Sequence, residues 1–287
     1  MTEAPGLLRR IIAFPLTLLG IEFALIVLTG IAASMAVARL TERDTPLQVL
    51  GALIFAGVVI AVYKALRYFL ERTPDAEFAL PGAGRELGLG LLAGFVLFSG
   101  MAGIVALLGG LRVEGVRGTG QLWSMLAMGI VSGTIEEALF RGILFRHVET
   151  MLGSWAALAI TSALFGLAHI TNPNASLFAA FAIAMEAGIL LGAAYLLTRR
   201  LWLAVGIHAA WNFTQGWVFS VPVSGGDVPL GLLITRRTGP DWLTGGDFGL
   251  EASVIAMGIA TLAGVLMLVR VVRRGGLVAP MWRRGSC

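Results

Sequence analysis

Apolar runs long enough to cross a bilayer recur along the chain, at about residues 11–40, 47–69, 87–111, 122–147, 155–170, 175–197, 201–219 and 250–272, parted by short polar or Gly- and Pro-containing stretches. About 20 helical residues cover the roughly 30 Å of hydrocarbon in a membrane. Backbone in lipid must satisfy its own hydrogen bonds, so each run is predicted to be a helix. The first run follows Arg9 and Arg10 as a signal peptide would, but it far exceeds the roughly 7–15 apolar residues of a signal core and reads as a retained span. The polar gaps at 71–86 and 221–249 are too short and too rich in Gly and Pro to hold a second core. The expected fold is all-α: a polytopic membrane helical bundle of about eight transmembrane helices, forming one membrane-embedded domain over residues 1–287. Gly90/Gly94, Gly129/Gly133 and Gly188/Gly192 are small-residue pairs four apart, which let helices approach closely in lipid.

Composition narrows the class further. Hydrophobic residues make up 57% and charged residues 13%, with a mean hydropathy of +0.86, whereas soluble domains carry about 25% charge. A soluble enzyme and a disordered chain are excluded. The pI near 10.0 does not point to nucleic acid, because 20 of the 21 basic residues are Arg scattered between apolar runs without a basic stripe. They are better read as topology signals, since cytoplasmic loops are enriched in Lys and Arg. With both termini inside, the inner set is Arg9, Arg10, Lys64, Arg67, Arg72, Arg85, Arg141, Arg146, Arg199, Arg200, Arg270, Arg273, Arg274, Arg283 and Arg284. The outer set is Arg39, Arg43, Arg112, Arg117, Arg236 and Arg237. Setting Arg141 aside as a site candidate leaves 14 against 6, so both termini are expected to be cytoplasmic. Cys287 has no second cysteine to pair with, and no prenylation box follows it.

Ionisable groups in hydrocarbon cost at least about 2.5–3.5 kcal/mol at a helix centre, so the few found here need a reason. The fourth run contains Glu136 and Glu137, with Arg141 one turn after the second Glu. Glu137 can pair with Arg141, while Glu136 points about 100° away and stays free for chemistry. The fifth run sets Phe165 one turn before His169, and the seventh sets His208 and Asn212 one turn apart. These residues suit hydrolysis of an amide inside a membrane cavity: a desolvated Glu can take a proton from water, and His and Asn side chains can bind the oxyanion. A glutamate and two histidines are also a ligand set for catalytic zinc, so a divalent metal held by Glu136, His169 and His208 is the other version of the same site. Other membrane-protease solutions fail: there is no H-E-x-x-H, G-I-V-S-G at 129–133 lacks the serine spacing of G-x-S-G, and Ser224-Gly225-Gly226-Asp227 is not G-x-G-D. Glu22 and Glu186 match no motif and are expected as buried polar contacts. His147, beside Arg146, is expected in a solvated position at the inner interface.

At E-E-x-x-x-R (Glu136, Glu137, Arg141), F-x-x-x-H (Phe165, His169) and H-x-x-x-N (His208, Asn212) the chain resembles the CAAX protease and bacteriocin-processing family of intramembrane metalloproteases, which includes the type II CAAX prenyl endopeptidases. The resemblance runs from about Ser132 to Asn212, within a family-like core of about 120–220. It implies that Glu136 activates water with His169, that His208 and Asn212 stabilise the oxyanion, and that Glu137 and Arg141 are structural or assisting partners. The function expected is an endopeptidase cutting a peptide or membrane-protein substrate at or near the cytoplasmic face, in CAAX-type processing or in bacteriocin or peptide maturation. Two rivals stand beside it: a non-catalytic membrane partner, such as an immunity or scaffold protein, and a small proton-coupled transporter. The transporter would be expected to show an internal repeat and paired broken helices, and the sequence shows neither. Arg-heavy, Lys-poor usage fits a GC-rich genome and a bacterial inner membrane. Helix arithmetic raises one conflict: His208 lies about 10 Å above the inner end of its run and His169 about 21 Å above its own.

Overall fold

The computed structural model describes residues 14–74 and 76–283. Arg9, Arg10, Arg284, Cys287 and the expected start of the first run at residue 11 lie outside the described residues. Among the described residues each apolar run forms a helix over most of its length. The first three are α1 (Pro15–Leu40), α2 (Pro46–Ala65, continued by a π-helical stretch Leu66–Glu71) and α3 (Ala83–Leu107). Next come α4 (Leu122–Glu137, continued through π-helical Ala138–Phe145 and Arg146–Leu152) and α5 (Ser154–Ala168, ending in the 3-10 turn His169–Thr171). Then follow α6 (Leu177–Thr198, with a π-helical stretch Ala184–Gly188), α7 (Trp202–Phe213, continued by Thr214–Val218) and α8 (Val254–Arg273). Pro15 and Pro46 occupy the first turns of α1 and α2, where the missing N–H has no intrahelical partner to lose. Ser176 and Ser253 cap α6 and α8 by accepting the N–H groups of Ala179 and Ala256.

Six of these helices are long and apolar enough to cross a membrane: α1, α2 as far as Glu71, α3, α5, α6 and α8. The other two, α4 and α7, carry the candidate chemistry: Glu136, Glu137, Arg141 and Arg146 interrupt the apolarity of α4, and α7 is short. Two boundaries differ from expectation. The third run stops being helical at Leu107, and Leu111–Val116 is instead a strand, β1, paired antiparallel with β2 (Leu233–Arg237) around a bulge at Val113/Gly115. The alternation of Leu111, Val113 and Val116 with Arg112 and Glu114 is a strand pattern concealed by the apolar run before it. The eighth run starts at Val254, because Leu250–Ala252 is a separate 3-10 turn and Ser253 caps the helix.

Glycines set the packing that places the site. On α3, a Cβ at Gly90 would stand 2.4 Å from the Leu203 carbonyl and one at Gly94 would stand 2.3 Å from that of Ile207. On α4, Gly129 and Gly133 meet the α7 backbone at Ala209 and Val205. Helix α7 is thus clamped backbone to backbone between α3 and α4. Gly94→Ala should therefore destabilise the bundle by about 1–3 kcal/mol, the usual result of overpacking, whereas Gly100→Ala, with open space at its Cβ, should not. Thermal unfolding in detergent compares the two.

This clamp also settles the depth of the histidines. Helix α7 starts beside Gly142, whose Cβ would lie 3.2 Å from Leu201 Cδ1, and α4 runs on from there to Leu152 for about 15 Å more. Six residues up α7 from Trp202 reach His208, and six residues up α4 from Gly142 reach Glu136. Helix α5 begins next to the Leu152 end of α4, so His169, at its far end, arrives at the same level. The conflict disappears because α7 begins well inside the bundle, with its Leu201 N–H bonded to the Glu77 carbonyl.

At the end of the bundle where α1 begins, charges form a buried network. Arg146 pairs with Glu71 (2.6 Å) and Glu22 (3.0 Å), Arg67 pairs with Glu71 (2.6 Å) and Glu77 (3.2 Å), and His147 Nε2 lies 2.9 Å from Glu22 Oε2. Glu22 is a buried polar contact, as expected, but His147 is only 3% exposed. It is not solvated, because α1 lies over it and supplies the Glu22 partner.

Candidate active site

The structure brings Glu136, Glu137, His169, His208 and Asn212 to one level, where α4, the end of α5 and the middle of α7 meet. Arg141, one turn further along α4, is fully buried. Its Nη1 donates to Glu137 Oε1 at 2.9 Å, and its Nη2 donates to the carbonyls of Ala187 and Gly188 at 2.9 and 3.2 Å. Those carbonyls belong to the end of the π-helical stretch of α6, where irregular hydrogen bonding supplies acceptors that a regular helix would use internally. The Arg141 guanidinium also lies 4.6 Å from the centre of the Phe165 ring, a cation–π contact. Phe165 in turn packs against the rings of His169 and His208.

The same contacts orient both imidazoles. His169 Nδ1 lies 2.8 Å from the Phe165 carbonyl, and His208 Nδ1 lies 2.9 Å from Glu137 Oε1. A carbonyl and a carboxylate can only accept, so Nδ1 is the donor in each ring and Nε2 is the nitrogen left for other partners. His208 Nε2 stands 3.8 Å from Glu136 Oε2, and the Glu136 side chain is 29% exposed whereas that of Glu137 is fully buried. Adjacent in sequence, the two carboxylates therefore have separate surroundings. Asn212 Nδ2 donates one hydrogen to Ser132 Oγ at 3.0 Å, leaving its second N–H for another acceptor.

A cavity of about 600 Å³ opens onto these groups, with Ser132, Glu136, His169 and Asn212 on its floor. Its walls include Met125, Met128, Val223, Pro229 and Leu230, with Asp227 at the side and no Lys or Arg among the described residues that line it. The cavity faces the end of the bundle that carries β1, β2 and the long connection between α7 and α8. The termini of the described chain lie at the other end. The site's opening and the ends of the described chain thus lie at opposite poles of the bundle.

Several contributors have no motif to announce them. Ser132 lies one turn before Glu136 on the same face of α4, a signal readable once Glu136 is singled out. Glu251 accepts the Ser224 N–H at 2.5 Å, while Asn172 and Asn174 donate to the carbonyls of Ser224 and Gly225. Together they pin the 223–226 wall of the cavity to the segment that follows His169 and to the turn that precedes α8. Glu186, expected as a buried polar contact, lines a smaller cavity with His169, His208 and Glu251, and its buried Oε2 has no hydrogen bond. Burial pushes the Glu251 carboxyl from the ordinary 4.5 up to about 7. The folded chain therefore keeps a proton that the unfolded chain releases between those values, so stability falls as pH rises through that window. Glu251→Gln should flatten unfolding free energy against pH there by about 3 kcal/mol, which denaturation in detergent at pH 4.5 and 7.5 would measure.

The donor set Glu136, His169 and His208 has the chemistry of a zinc site, and each histidine is braced through Nδ1 in the manner of metal-bound imidazoles. Among the described residues only Glu22, Glu71 and His147 bring three such ligand atoms within 4.8 Å of one another. That cluster could hold a metal ion, with Arg146 paired to both of its carboxylates.

Residues 118–214 match the model of the type II CAAX prenyl endopeptidase Rce1-like family. The match covers about a third of the chain and takes in all three motifs and the helices that carry them. At family level the match supports an intramembrane CAAX-type endopeptidase, a protease. No curated protein and no solved structure matches the chain.

Proposed function

We propose that this protein is a glutamate-dependent intramembrane endopeptidase, with Glu136, His169, His208 and Asn212 acting on the substrate and Glu137 and Arg141 holding them. The observation that carries the reading is the pair of imidazoles, each tied through Nδ1, around a partly exposed Glu136 at the floor of the cavity. A water between Glu136 and His169 Nε2 loses a proton to the Glu136 carboxylate and attacks the scissile carbonyl carbon. The oxyanion takes the free N–H of Asn212 and, once His208 carries a second proton on Nε2, that N–H as well. Glu136 then delivers its proton to the leaving nitrogen, the C–N bond breaks, and a carboxylate and an amine depart. Arg141 neutralises Glu137, which keeps His208 in register. The Arg-for-Lys usage favours a bacterial inner membrane as the location.

Asn212→Ala tests the oxyanion role. Removing one such donor typically lowers kcat by about 10²–10³, and KM should change little because the contact strengthens only in the transition state. The measurement is turnover of a peptide library by the protein in liposomes. Products are read by mass spectrometry in ¹⁸O-water, where each new carboxyl terminus should gain one heavy oxygen. An unchanged kcat would remove Asn212 from the mechanism.

A further inference from the structure

Helices α1 and α2 leave an apolar cleft of about 530 Å³ between them, which shares no lining residue with the catalytic cavity. The small side chains of Ala32 and Ala36 and the bare backbone of Gly51 make room for it, and Leu50, Ile54 and Val58 stand 40–55% exposed along its rim. It follows α1 from Thr29 to Leu40, about 16 Å along the helix, which is close to the depth of one leaflet in a hydrocarbon core of about 30 Å. Where it ends, beside Leu40 and Leu47, the chain turns from α1 into α2 and carries Arg39 and Arg43. Both are exposed, and neither is in a salt bridge among the described residues. Arg39, three residues after Ala36, borders the same face of α1 as the cleft. The acid next to Arg43 is engaged elsewhere: Asp44 accepts the Trp123 and Ser124 N–H groups at the positive end of α4. Two guanidiniums therefore face the membrane surface there with Glu42 as the one remaining acid of the turn.

We propose that this cleft binds one anionic phospholipid, with an acyl chain laid between α1 and α2 and the phosphate headgroup on Arg39 and Arg43. The inference does not depend on the proteolysis proposed above. An acyl chain supplies the dispersion contacts that an empty cleft would forfeit. Because lipid tails are as apolar as Leu, burial alone does not select one lipid over another, and selection falls to the headgroup, whose negative charge the two arginines attract. A second copy of the chain is a poorer occupant. A two-fold contact would set the same face against itself and bring the two pairs of arginines together at one level.

Native mass spectrometry of the full chain, released from nanodiscs of equimolar phosphatidylglycerol and phosphatidylcholine with identical acyl chains, tests the proposal. Phosphatidylglycerol should stay bound about fivefold more often than phosphatidylcholine, the preference that one net basic residue near the headgroups supplies. Arg39→Gln with Arg43→Gln should abolish that preference, whereas Arg270→Gln with Arg273→Gln, at the other pole, should keep it. Ala36→Phe fills the cleft from an exposed position and should lower retained lipid at least about fivefold, and Ala32→Phe, exposed as well, repeats the test if the first variant does not fold. Phosphatidylglycerol with a diazirine midway along one chain should label residues 29–40 and 47–58 on irradiation. Equal retention of the two lipids, or a preference that survives loss of Arg39 and Arg43, overturns the proposal. So does retention unchanged by both Phe variants, labelling confined to other helices, or release of a lipid-free dimer in place of the lipid-bound chain.

Discussion

Replacing Glu136 by Gln lowers kcat by a factor of about 10²–10⁴, the usual contribution of a positioned acid–base group, and leaves the fold intact. The reason lies in the separate surroundings of the two neighbouring carboxylates. Glu136 has a 29% exposed side chain and, among the described residues, no salt-bridge partner other than the His208 ring 3.8 Å away, so an amide of the same shape leaves no buried charge unpaired. It cannot take a proton from water. Peptide turnover in liposomes should fall by that factor while the detergent unfolding midpoint stays within about 2 °C of wild type, a shift too small to signal lost packing. If turnover and midpoint fell together, Glu136 would be structural.

Arg141→Met has the opposite signature. The guanidinium is fully buried and supplies the cation for Glu137 and the donors for the Ala187 and Gly188 carbonyls. Removing it strands a carboxylate in the interior, which costs about 3–5 kcal/mol when one partner of a buried pair is lost. Adding Glu137→Gln removes the stranded charge and should restore more than half of that loss in unfolding measurements, the coupling expected of residues in contact. The double variant should stay inactive nonetheless, because a neutral amide in place of the Glu137 carboxylate holds His208 Nδ1 more weakly and gives no support to an imidazolium. Recovery of turnover along with stability would show that His208 does not need an ionised partner.

Much of this arrangement could be read from the chain beforehand, and the parts that could not have identifiable causes. Span positions follow from apolar run length, because lipid enforces helix wherever the run is long enough. The partition of Glu136 and Glu137 follows from their 100° offset and the Arg141 spacing, and the structure pairs Glu137 with Arg141 while Glu136 reaches the cavity. The β1/β2 pair escaped because β1 abuts an apolar helix whose pattern runs into it. Depth is not legible from the ends of apolar runs, because α7 begins well within the bundle where Gly90, Gly94 and Gly206 let it lie against α3. The burial of His147 departs from expectation for the same reason: burial at a helix end depends on which distant residue covers it, here Glu22. Ser132 and Glu251 act through contacts with residues far along the chain, which local spacing does not encode.

Peptide-bond hydrolysis by Glu136 is tested most directly by a comparison of newly generated protein termini. Membranes of cells expressing wild type, Glu136→Gln and His208→Ala at matched levels would be profiled side by side. A set of termini present only with wild type is the predicted result, and it would identify both the substrates and the position of the cut. Three indistinguishable profiles from inserted, equally abundant proteins would contradict hydrolysis and favour a membrane protein that binds a partner without cutting it.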